Sequence, residues 1–432
     1  MKTKKTLYNS PLLGESYTEV NHKSGLTIRV FPKDMTTTCA FLCAKCGSLD
    51  RKVRLPDGRT RSFPAGTAHY LEHKLFDNEN GVDSFAVFSA LGADSNAFTS
   101  YTHTAYYFST TQNQKKCLRE LLSFATHPYF TKATVEKERG IIAEEIKMDR
   151  DLPWDRALQN LLCALYGEHP LSDDICGSAG SISRITEKTL YDFYRLFYAP
   201  SNLILSVAGP MEVEDVLSVV DRALPEMTVT TLPRRVLPRQ TKACASVRID
   251  ERMPVAKPIF YLGFKDAGVS RDPMKRLTRD AAMLVLNEVL FSKSGDFYNR
   301  LFEENLLTPA FSAGYSIEEG FAFNCLSGES DRPDEVVERL FAYLETIKRD
   351  GISEDDLERC RRVLYADEVR GYDSTEEIAL RMLSFAMDGL DPFLYPELIR
   401  AVTKHDVEKL LHEVFCKESL SLSVIRPTEE RS

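Results

Sequence analysis

Apolar residues recur along this chain in two kinds of pattern. Short runs, among them GLTIRVF (25–31), CAFLCAKCG (39–47), ASVRI (245–249) and KPIFYLGF (257–264), predict β-strands. Longer segments with apolar residues three and four positions apart, such as EKERGIIAEEI (136–146), predict amphipathic helices. Both patterns occur in both halves of the chain. We therefore expect an α+β fold in which each half packs helices on a mixed or antiparallel sheet.

A segment rich in proline and basic residues lies between the two halves. This segment, TVTTLPRRVLPRQT (228–241), predicts a linker because proline interrupts regular structure. It divides the chain into an N-terminal domain of residues 1–227 and a C-terminal domain of residues 242–432.

The two domains also resemble each other in sequence. HYLEHKLF (69–76) aligns with LVLNEVLF (284–291), and further on residues 136–146 align with ERCRRVLYADE (358–368). The same order in both halves indicates an internal duplication. The apolar positions of the first alignment persist, but its polar residues His69, Glu72 and His73 become Leu284, Asn287 and Glu288. Packing therefore does not explain the two histidines.

Composition narrows the possible functions. The formal net charge is -9, which argues against nucleic acid as a partner because phosphate binding requires a basic surface. No apolar run approaches the ~18–20 residues that span a bilayer, and no signal-peptide pattern follows the early lysines. Ten cysteines without disulfide-like spacing favour the reducing cytoplasm. Cys43 and Cys46 lie in an apolar run, so core thiols are favoured over a redox or zinc pair.

The stretch AHYLEHKLF (68–76) carries the candidate chemistry. On a helix, His69 and His73 lie on one face, one turn apart, and two imidazoles so placed can share a zinc ion. Glu72 lies on the same face, where a carboxylate can take a proton from a water that zinc has activated. H-x-x-E-H is the inverted form of the H-E-x-x-H zinc-peptidase motif. By chance alone, such a pattern arises in roughly one chain in a hundred.

A catalytic zinc needs a third protein ligand. The predicted helix around residues 136–146 offers four glutamates. Glu138 and Glu145 lie two turns apart and flank the apolar stripe formed by Ile141, Ile142 and Ile146, so we expect them to point inward. We expect Glu136 and Glu144 to lie on a solvated face.

These residues resemble the inverzincin metallopeptidases of family M16, the pitrilysin and insulin-degrading enzyme family. The closest likeness in size is to the half-length branch of mitochondrial processing peptidase subunits and their bacterial relatives. Besides H-x-x-E-H, the likeness includes GADSNAFTSYTHTAYYF (92–108), ERGIIAEEI (138–146) and the segment from HPLSDDICGS (169–178) to the end of the first domain.

The resemblance implies one Zn²⁺ per chain, bound by His69, His73 and Glu145, with Glu72 as general base and Glu138 as a supporting acid in the catalytic site. It implies that the strand with Asn96 and Ala97 binds extended peptide at a sheet edge, and residues 96–108 alternate as such a strand should. From the residues alone, Asn96 could equally cap a turn. The fold implied is half of a clamshell that encloses peptides in a dimer.

One segment departs from the family pattern. The second domain of the family often contributes an arginine and a tyrosine to substrate, but here Phe302 and Pro309 occupy those positions. Arg300 or Tyr315 are the candidate replacements for substrate binding. Nothing in the sequence decides between a homodimer and a heterodimer with an M16-like partner chain.

Three functions remain at this point. The leading hypothesis is a cytoplasmic zinc metalloendopeptidase that acts on peptides or unfolded segments. The alternative is a non-catalytic scaffold or peptide-binding subunit, which the Phe302 and Pro309 departures keep open. A chance motif on the helix of an unrelated α+β protein would require the ordered matches of both halves to be accidental.

Overall fold

The described residues form two large mixed β-sheets and one small three-stranded sheet. The computed structural model describes residues 3–79, 81–224 and 231–428, so residues 228–230 of the predicted linker lie outside the described part. The strands are β1 (Lys4–Ser10), β2 (Glu15–Asn21), β3 (Thr27–Pro32), β4 (Thr38–Ala44), β5 (Lys52–Arg54), β6 (Thr60–Ser62), β7 (Ala93–Thr99), β8 (Thr104–Thr110), β9 (Leu203–Gly209), β10 (Arg234–Arg235), β11 (Arg248–Met253), β12 (Ile259–Lys265), β13 (Ser312–Glu318), β14 (Phe321–Glu329) and β15 (Leu420–Pro427).

Helices account for most of the remaining described residues. The α-helices are α1 (Thr67–Leu75), α2 (Ser84–Leu91), α3 (Gln114–Thr126), α4 (Lys132–Arg150), α5 (Pro153–Tyr166), α6 (Ala179–Ile182), α7 (Glu187–Phe197), α8 (Val213–Ala223), α9 (Pro273–Phe291), α10 (Asp296–Glu303), α11 (Pro333–Asp350), α12 (Glu354–Arg370), α13 (Thr375–Met387), α14 (Leu394–Ala401) and α15 (Lys404–Val414). Short 3₁₀ helices are Pro170–Ser172, Pro200–Asn202, Gly371–Asp373 and Lys417–Ser419. None of the helices in the described ranges is long and apolar enough to cross a membrane.

The first compact unit contains residues 1–146, 174–237 and 369–393, of which 1–2, 80 and 225–230 are not described. Its main sheet has the strand order β1-β2-β3-β9-β4-β8-β7, in which β3 and β9 are parallel and the other neighbours are antiparallel. A small second sheet has the order β10-β5-β6. β7 is an edge strand of the main sheet, and α1 packs near it against β7 and β8.

Both faces of the main sheet are covered, which explains the uninterrupted apolar run of β4. Ala40 and Leu42 belong to the large core shared with α1, α3 and α7. Cys39, Phe41 and Cys43 face the other way and pack with α13. Cys46 is buried in the large core, and no disulfide joins any of the ten cysteines, all of which lie among the described residues. A strand buried on both faces reads as a continuous hydrophobic run.

The second compact unit contains residues 147–173, 238–368 and 394–432, of which 429–432 are not described. Its sheet has the order β11-β15-β12-β14-β13, in which β11 and β15 are parallel and the other neighbours are antiparallel. Helix α5 packs against β15, β12 and β11, and its Ala157 joins Met253, Ile259 and Ile425 in a small core.

Five strands of the seven-stranded sheet, namely β3, β4, β7, β8 and β9, have the same topology as the five-stranded sheet of the second unit. When each set of five strands is numbered along the chain, the strands lie side by side in the order 1-5-2-4-3. Strands 1 and 5 form the one parallel pair in each set, β3 with β9 and β11 with β15. The aligned apolar residues are buried in both copies: Leu71, Leu75 and the next residue, Phe76, in and just after α1, and Leu286, Leu290 and Phe291 in α9. Two homologous α+β domains, as expected from the sequence, account for this match.

The compact units differ in one respect from contiguous domains of residues 1–227 and 242–432. Residues 147–173, with α5, belong to the second unit, and residues 369–393, with α13, belong to the first. The unit boundary near residue 237 falls inside the predicted linker, but Arg234–Arg235 form β10 there and Arg235 pairs with Asp50. Helix α5 therefore packs on the sheet of the second unit, and α13 packs on the sheet of the first unit, although each is encoded in the other half of the sequence.

Two local expectations were wrong. Residues 96–108 are not one alternating strand, because the chain turns at residues 100–103 and forms the hairpin of β7 and β8. Ile141 is not part of the apolar stripe of α4, since it is 49% exposed while Ile142 and Ile146 are buried.

Candidate metal centre

Helix α1 holds the H-x-x-E-H residues in a nearly buried position. It begins after Gly66, whose positive φ of 85° suits glycine and lets the chain turn directly into the helix. His69, Glu72 and most other residues of α1 are buried, and His73 is partly exposed. The Tyr70 hydroxyl donates a hydrogen bond to the Val135 carbonyl oxygen, which ties α1 to α4. This hydrogen bond links the two helices that carry the predicted ligands.

His69, His73 and Glu145 converge within the first unit. Nε2 of His69 lies 3.6 Å from Oε1 of Glu145, and Nε2 of His73 lies 3.5 Å from Oε2 of the same carboxylate. The centroids of the two imidazole rings are 4.6 Å apart. Each imidazole thus lies near a different oxygen of the Glu145 carboxylate.

These separations fit a shared metal better than direct hydrogen bonds. A charge-assisted N–H···O bond measures about 2.7–2.9 Å. Two atoms bound to one tetrahedral zinc, each at ~2.0–2.2 Å, lie about 3.3–3.6 Å apart. Oε2 of Glu145 and Nδ1 of His69 are buried and have no hydrogen-bond partner, and a buried carboxylate oxygen without a partner is costly unless a cation compensates it. The contact with His69 lowers the pKa of Glu145 despite its partial burial, so the carboxylate is ionised. His69 and Glu145 therefore form a donor pair that fits zinc, and His73 lies 3.5 Å from the second oxygen of the same carboxylate.

Glu138 contacts Nδ1 of His73, the ring nitrogen that does not face Glu145. Its Oε1 lies 3.0 Å from Nδ1 of His73, and its Oε2 lies 3.9 Å from the buried ammonium of Lys74. Burial raises the pKa of Glu138, but the His73 hydrogen bond, the His73 charge and the charges of Lys74 and Lys137 together lower it. Since an ionised carboxylate only accepts, Nδ1 of His73 donates this hydrogen bond, and Nε2 is the ring nitrogen that faces Glu145.

Glu72 is fixed by a residue of the edge strand. The Thr99 hydroxyl donates to Oε2 of Glu72 at 2.6 Å, and Thr99 in turn lies 3.2 Å from the Thr104 hydroxyl. Burial is the main influence on Glu72 and raises its pKa, against the nearby His69, the Thr99 hydrogen bond and His73. A buried carboxylate beside two imidazoles is suited to exchange protons.

Two contributors to this site were absent from the sequence reasoning. Thr99 lies in the quoted segment 92–108 but carries no motif of its own. Cys176 lies in the quoted segment HPLSDDICGS, and its Sγ lies 3.7 Å from Nε2 of His69. His69, Glu145 and Cys176 each offer one ligand atom within 4.8 Å of the others. The one sequence signal for Cys176 is that it is a cysteine, a residue type that can bind zinc, within a segment that resembles the family.

The predicted substrate residues lie in different places. Asn96 and Ala97 are in edge strand β7, where Oδ1 of Asn96 accepts a hydrogen bond from the Ala97 amide at 2.8 Å. Arg300 lies in α10 of the second unit and forms an exposed ion pair with Asp296. The Tyr315 hydroxyl, in β13 of the same unit, donates to Oδ2 of Asp266 at 2.6 Å, and burial raises the Tyr315 pKa.

Comparison with protein families matches both halves of the chain. The family model described as insulinase (peptidase family M16) matches residues 62–179, a range that contains every residue of the candidate centre. The model described as peptidase M16 inactive domain matches residues 184–364, which contain none of them.

Individual proteins match along nearly the whole chain. The uncharacterized zinc protease YmfH of Bacillus subtilis (strain 168) is 34% identical over 410 residues, which are 94% of this chain and 95% of that protein. A solved structure of an M16-like protein from Alicyclobacillus acidocaldarius superposes with a TM-score of 0.90 at 29% identity and covers 99% of both chains. A protease from Helicobacter pylori shares the fold, with a TM-score of 0.81 at 19% identity over 99% of this chain and 100% of that one.

The family models together cover more than half of the sequence, and the Bacillus relative extends the match to nearly all of it. The chain belongs to peptidase family M16.

Proposed function

We propose that this protein is a zinc-dependent metallopeptidase that hydrolyses peptides or unfolded segments. The observation that carries the proposal is the placement of two imidazole Nε2 atoms 3.6 and 3.5 Å from the two oxygens of the Glu145 carboxylate, with Glu72 buried on the same helix. In this proposal, His69, His73 and Glu145 hold one zinc ion per chain.

The zinc, when bound, supplies a Lewis acid that polarises the scissile carbonyl and makes a water easier to deprotonate. Glu72 takes the proton from the attacking water and returns it to the nitrogen of the leaving amine, so the carboxylate is regenerated in each cycle. Thr99 holds the Glu72 carboxylate in place through one oxygen, which leaves the other free for the proton. Glu138 positions His73 and fixes its tautomer.

Substrate binding in this proposal begins at β7. An extended peptide can add to an exposed sheet edge through main-chain hydrogen bonds, and β7 offers such an edge at Asn96 and Ala97. The hydrogen bond from the Ala97 amide to Asn96 would then open as the peptide binds. Of the two second-unit candidates, Arg300 is better supported, because its guanidinium is exposed while the Tyr315 hydroxyl is engaged by Asp266.

The surrounding assembly belongs to the same proposal. Two half-length chains would enclose the peptide, either as a homodimer or with an M16-like partner chain. The absence of a disulfide among the ten cysteines, all of them described, supports a reducing location such as the cytoplasm.

Metal content and peptide hydrolysis together test the proposal. We expect about one zinc per chain in the wild type, and its loss in His69→Ala and Glu145→Gln. Glu144→Gln is the matched control, because Glu144 is the exposed neighbour on the same helix. Glu72→Gln should keep zinc and lose at least about 100-fold in kcat.

Hydrolysis is measured with unstructured peptides, for the chain alone and with M16-like partner chains. A folded wild type that binds no supplied zinc contradicts the metal centre. A zinc-loaded protein without hydrolysis, alone or with partners, favours instead a peptide-binding scaffold, the alternative that the Phe302 and Pro309 departures keep open.

A further inference from the structure

The Cys176 thiol lies at the edge of the candidate centre in a position that the proposed mechanism does not use. Its Sγ is 3.7 Å from Nε2 of His69, the atom assigned to the metal, and Cys176 is 8% exposed. His69, Glu145 and Cys176 form a compact three-residue group among the described residues, and His73 is not part of it. Cys176 and His73 therefore share the two neighbours His69 and Glu145.

The backbone fixes Cys176 in this position. Gly177 has a φ of 83°, and a Cβ built on it would lie 2.7 Å from the carbonyl oxygen of Ala65. A Cβ on Gly66 would likewise collide with the carbonyl oxygen of Cys176. Two glycines thus let the loop pack backbone to backbone against the start of α1, three residues before His69. The Cys176 amide also donates to Oδ1 of Asp174 at 2.9 Å.

The distance and the charges both suit coordination. A nitrogen and a sulfur bound to one zinc, at ~2.0–2.1 Å and ~2.3 Å, lie about 3.6 Å apart in tetrahedral geometry, close to the observed 3.7 Å. A thiolate and the Glu145 carboxylate together balance the two charges of the ion. Such balance matters here because His69 and Cys176 are both more than nine-tenths buried.

We propose that Cys176 is an additional metal ligand, whose thiolate joins His69 and Glu145 on the ion in a resting state of the enzyme. This inference rests on the proposed zinc site. On binding, the sulfur–hydrogen bond gives up its proton to solvent and the sulfur donates its electron pair to the metal. If His73 were bound as well, as in the proposed zinc site, the thiolate would occupy the fourth position that a catalytic site keeps open for water, and water could bind only after the thiolate had left.

Replacing zinc with cobalt(II) allows metal binding and thiolate ligation to be tested separately. Cobalt bound at the centre gives visible d–d absorption, and a thiolate ligand adds an intense near-ultraviolet charge-transfer band. We expect both in the metal-loaded wild type. The Cys176→Ser and Cys176→Ala variants should keep the visible bands and lose the near-ultraviolet band, and the control Cys416→Ser, in the second unit, should keep both.

Retention of the visible bands in the variants shows that they fold and bind metal. Visible bands without the charge-transfer band in wild type would overturn the role of Cys176 and leave the metal centre standing. A charge-transfer band that survives in both Cys176 variants would overturn it as well. Absence of all cobalt absorption would overturn the metal centre and, with it, this inference.

Discussion

Glu138 and His73, 65 residues apart in sequence, meet through Oε1 and Nδ1 at 3.0 Å. The contact joins α4 to α1 and leaves Nε2 of His73 directed at Glu145. A carboxylate behind a metal-binding imidazole raises the basicity of the ligand and holds its ring. The family resemblance implied only that Glu138 is a supporting acid, and the structure adds its contact with His73.

Glu138→Gln should therefore weaken metal binding without removing a ligand. The amide can still approach Nδ1 of His73 but no longer carries the charge that favours a proton there. We expect zinc affinity to fall roughly 10- to 100-fold, measured by competition with a chelator. Glu144→Gln on the same helix should leave the affinity unchanged. Equal affinity of Glu138→Gln and wild type would mean that Glu138 is only a structural partner of His73 and Lys74.

Thr99→Val should lower kcat without changing the zinc content. The substitution removes the hydroxyl that donates to Oε2 of Glu72 at 2.6 Å and keeps the shape of the side chain. Loss of a hydrogen bond to a charged group corresponds to about a 10-fold or larger fall in kcat. Zinc content should stay at the wild-type value, and Thr99→Ser should restore kcat because it restores the hydroxyl. If Ser and Val behave alike, the hydroxyl does not position Glu72.

Local spacing explains how much of the site could be predicted. The i, i+4 relation of His69 and His73 and the two-turn relation of Glu138 and Glu145 follow from helix geometry, and the structure brings these residues together. Cys176 and Thr99 reach the site through a loop and a hairpin, whose spatial neighbours are set by tertiary packing that no local pattern encodes. The roles of all these residues remain predictions.

In the fold, too, features set by local sequence patterns could be predicted, and features set by tertiary packing could not. Runs such as residues 39–47 predicted strands, and the order of matching segments predicted the duplication. The packing of α13 on the first unit could not be predicted, because an apolar helix face does not specify which of two similar sheets it covers. The prediction of one strand over residues 96–108 was wrong because the alternation of side chains continues through the short turn at residues 100–103.

Met382→Ala should destabilise the first unit although residue 382 lies in the second half of the sequence. Met382 is 0% exposed and packs in the core formed by α13 and the outer face of β4 and β9. Truncation of a buried methionine costs about 2–5 kcal/mol of unfolding free energy. The loss should appear in urea denaturation and as faster amide hydrogen exchange in β4 and β9. Leu380→Ala, at a position 39% exposed on the same helix, should cost about 0.5 kcal/mol or less. Similar losses for the two variants would argue against this packing.

His103 should make the first unit sensitive to acid. Burial, aided by the charge of Arg235, lowers the pKa of His103 from 6.5 to about 4, and its Nδ1 lies 2.8 Å from the Ser100 hydroxyl. Between pH 6.5 and pH 4 the unfolded chain binds a proton here that the folded chain does not, so the free energy of unfolding falls as the pH falls through this window. The full loss is at most about 3 kcal/mol, is absent above the window, and does not grow below it. Urea unfolding of metal-free wild type and His103→Gln from pH 7 to pH 4 measures the effect. The wild type should lose stability more steeply on acidification, whatever the offset between the two proteins at pH 7. Parallel pH profiles would show that His103 is protonated as readily in the folded chain as in the unfolded one.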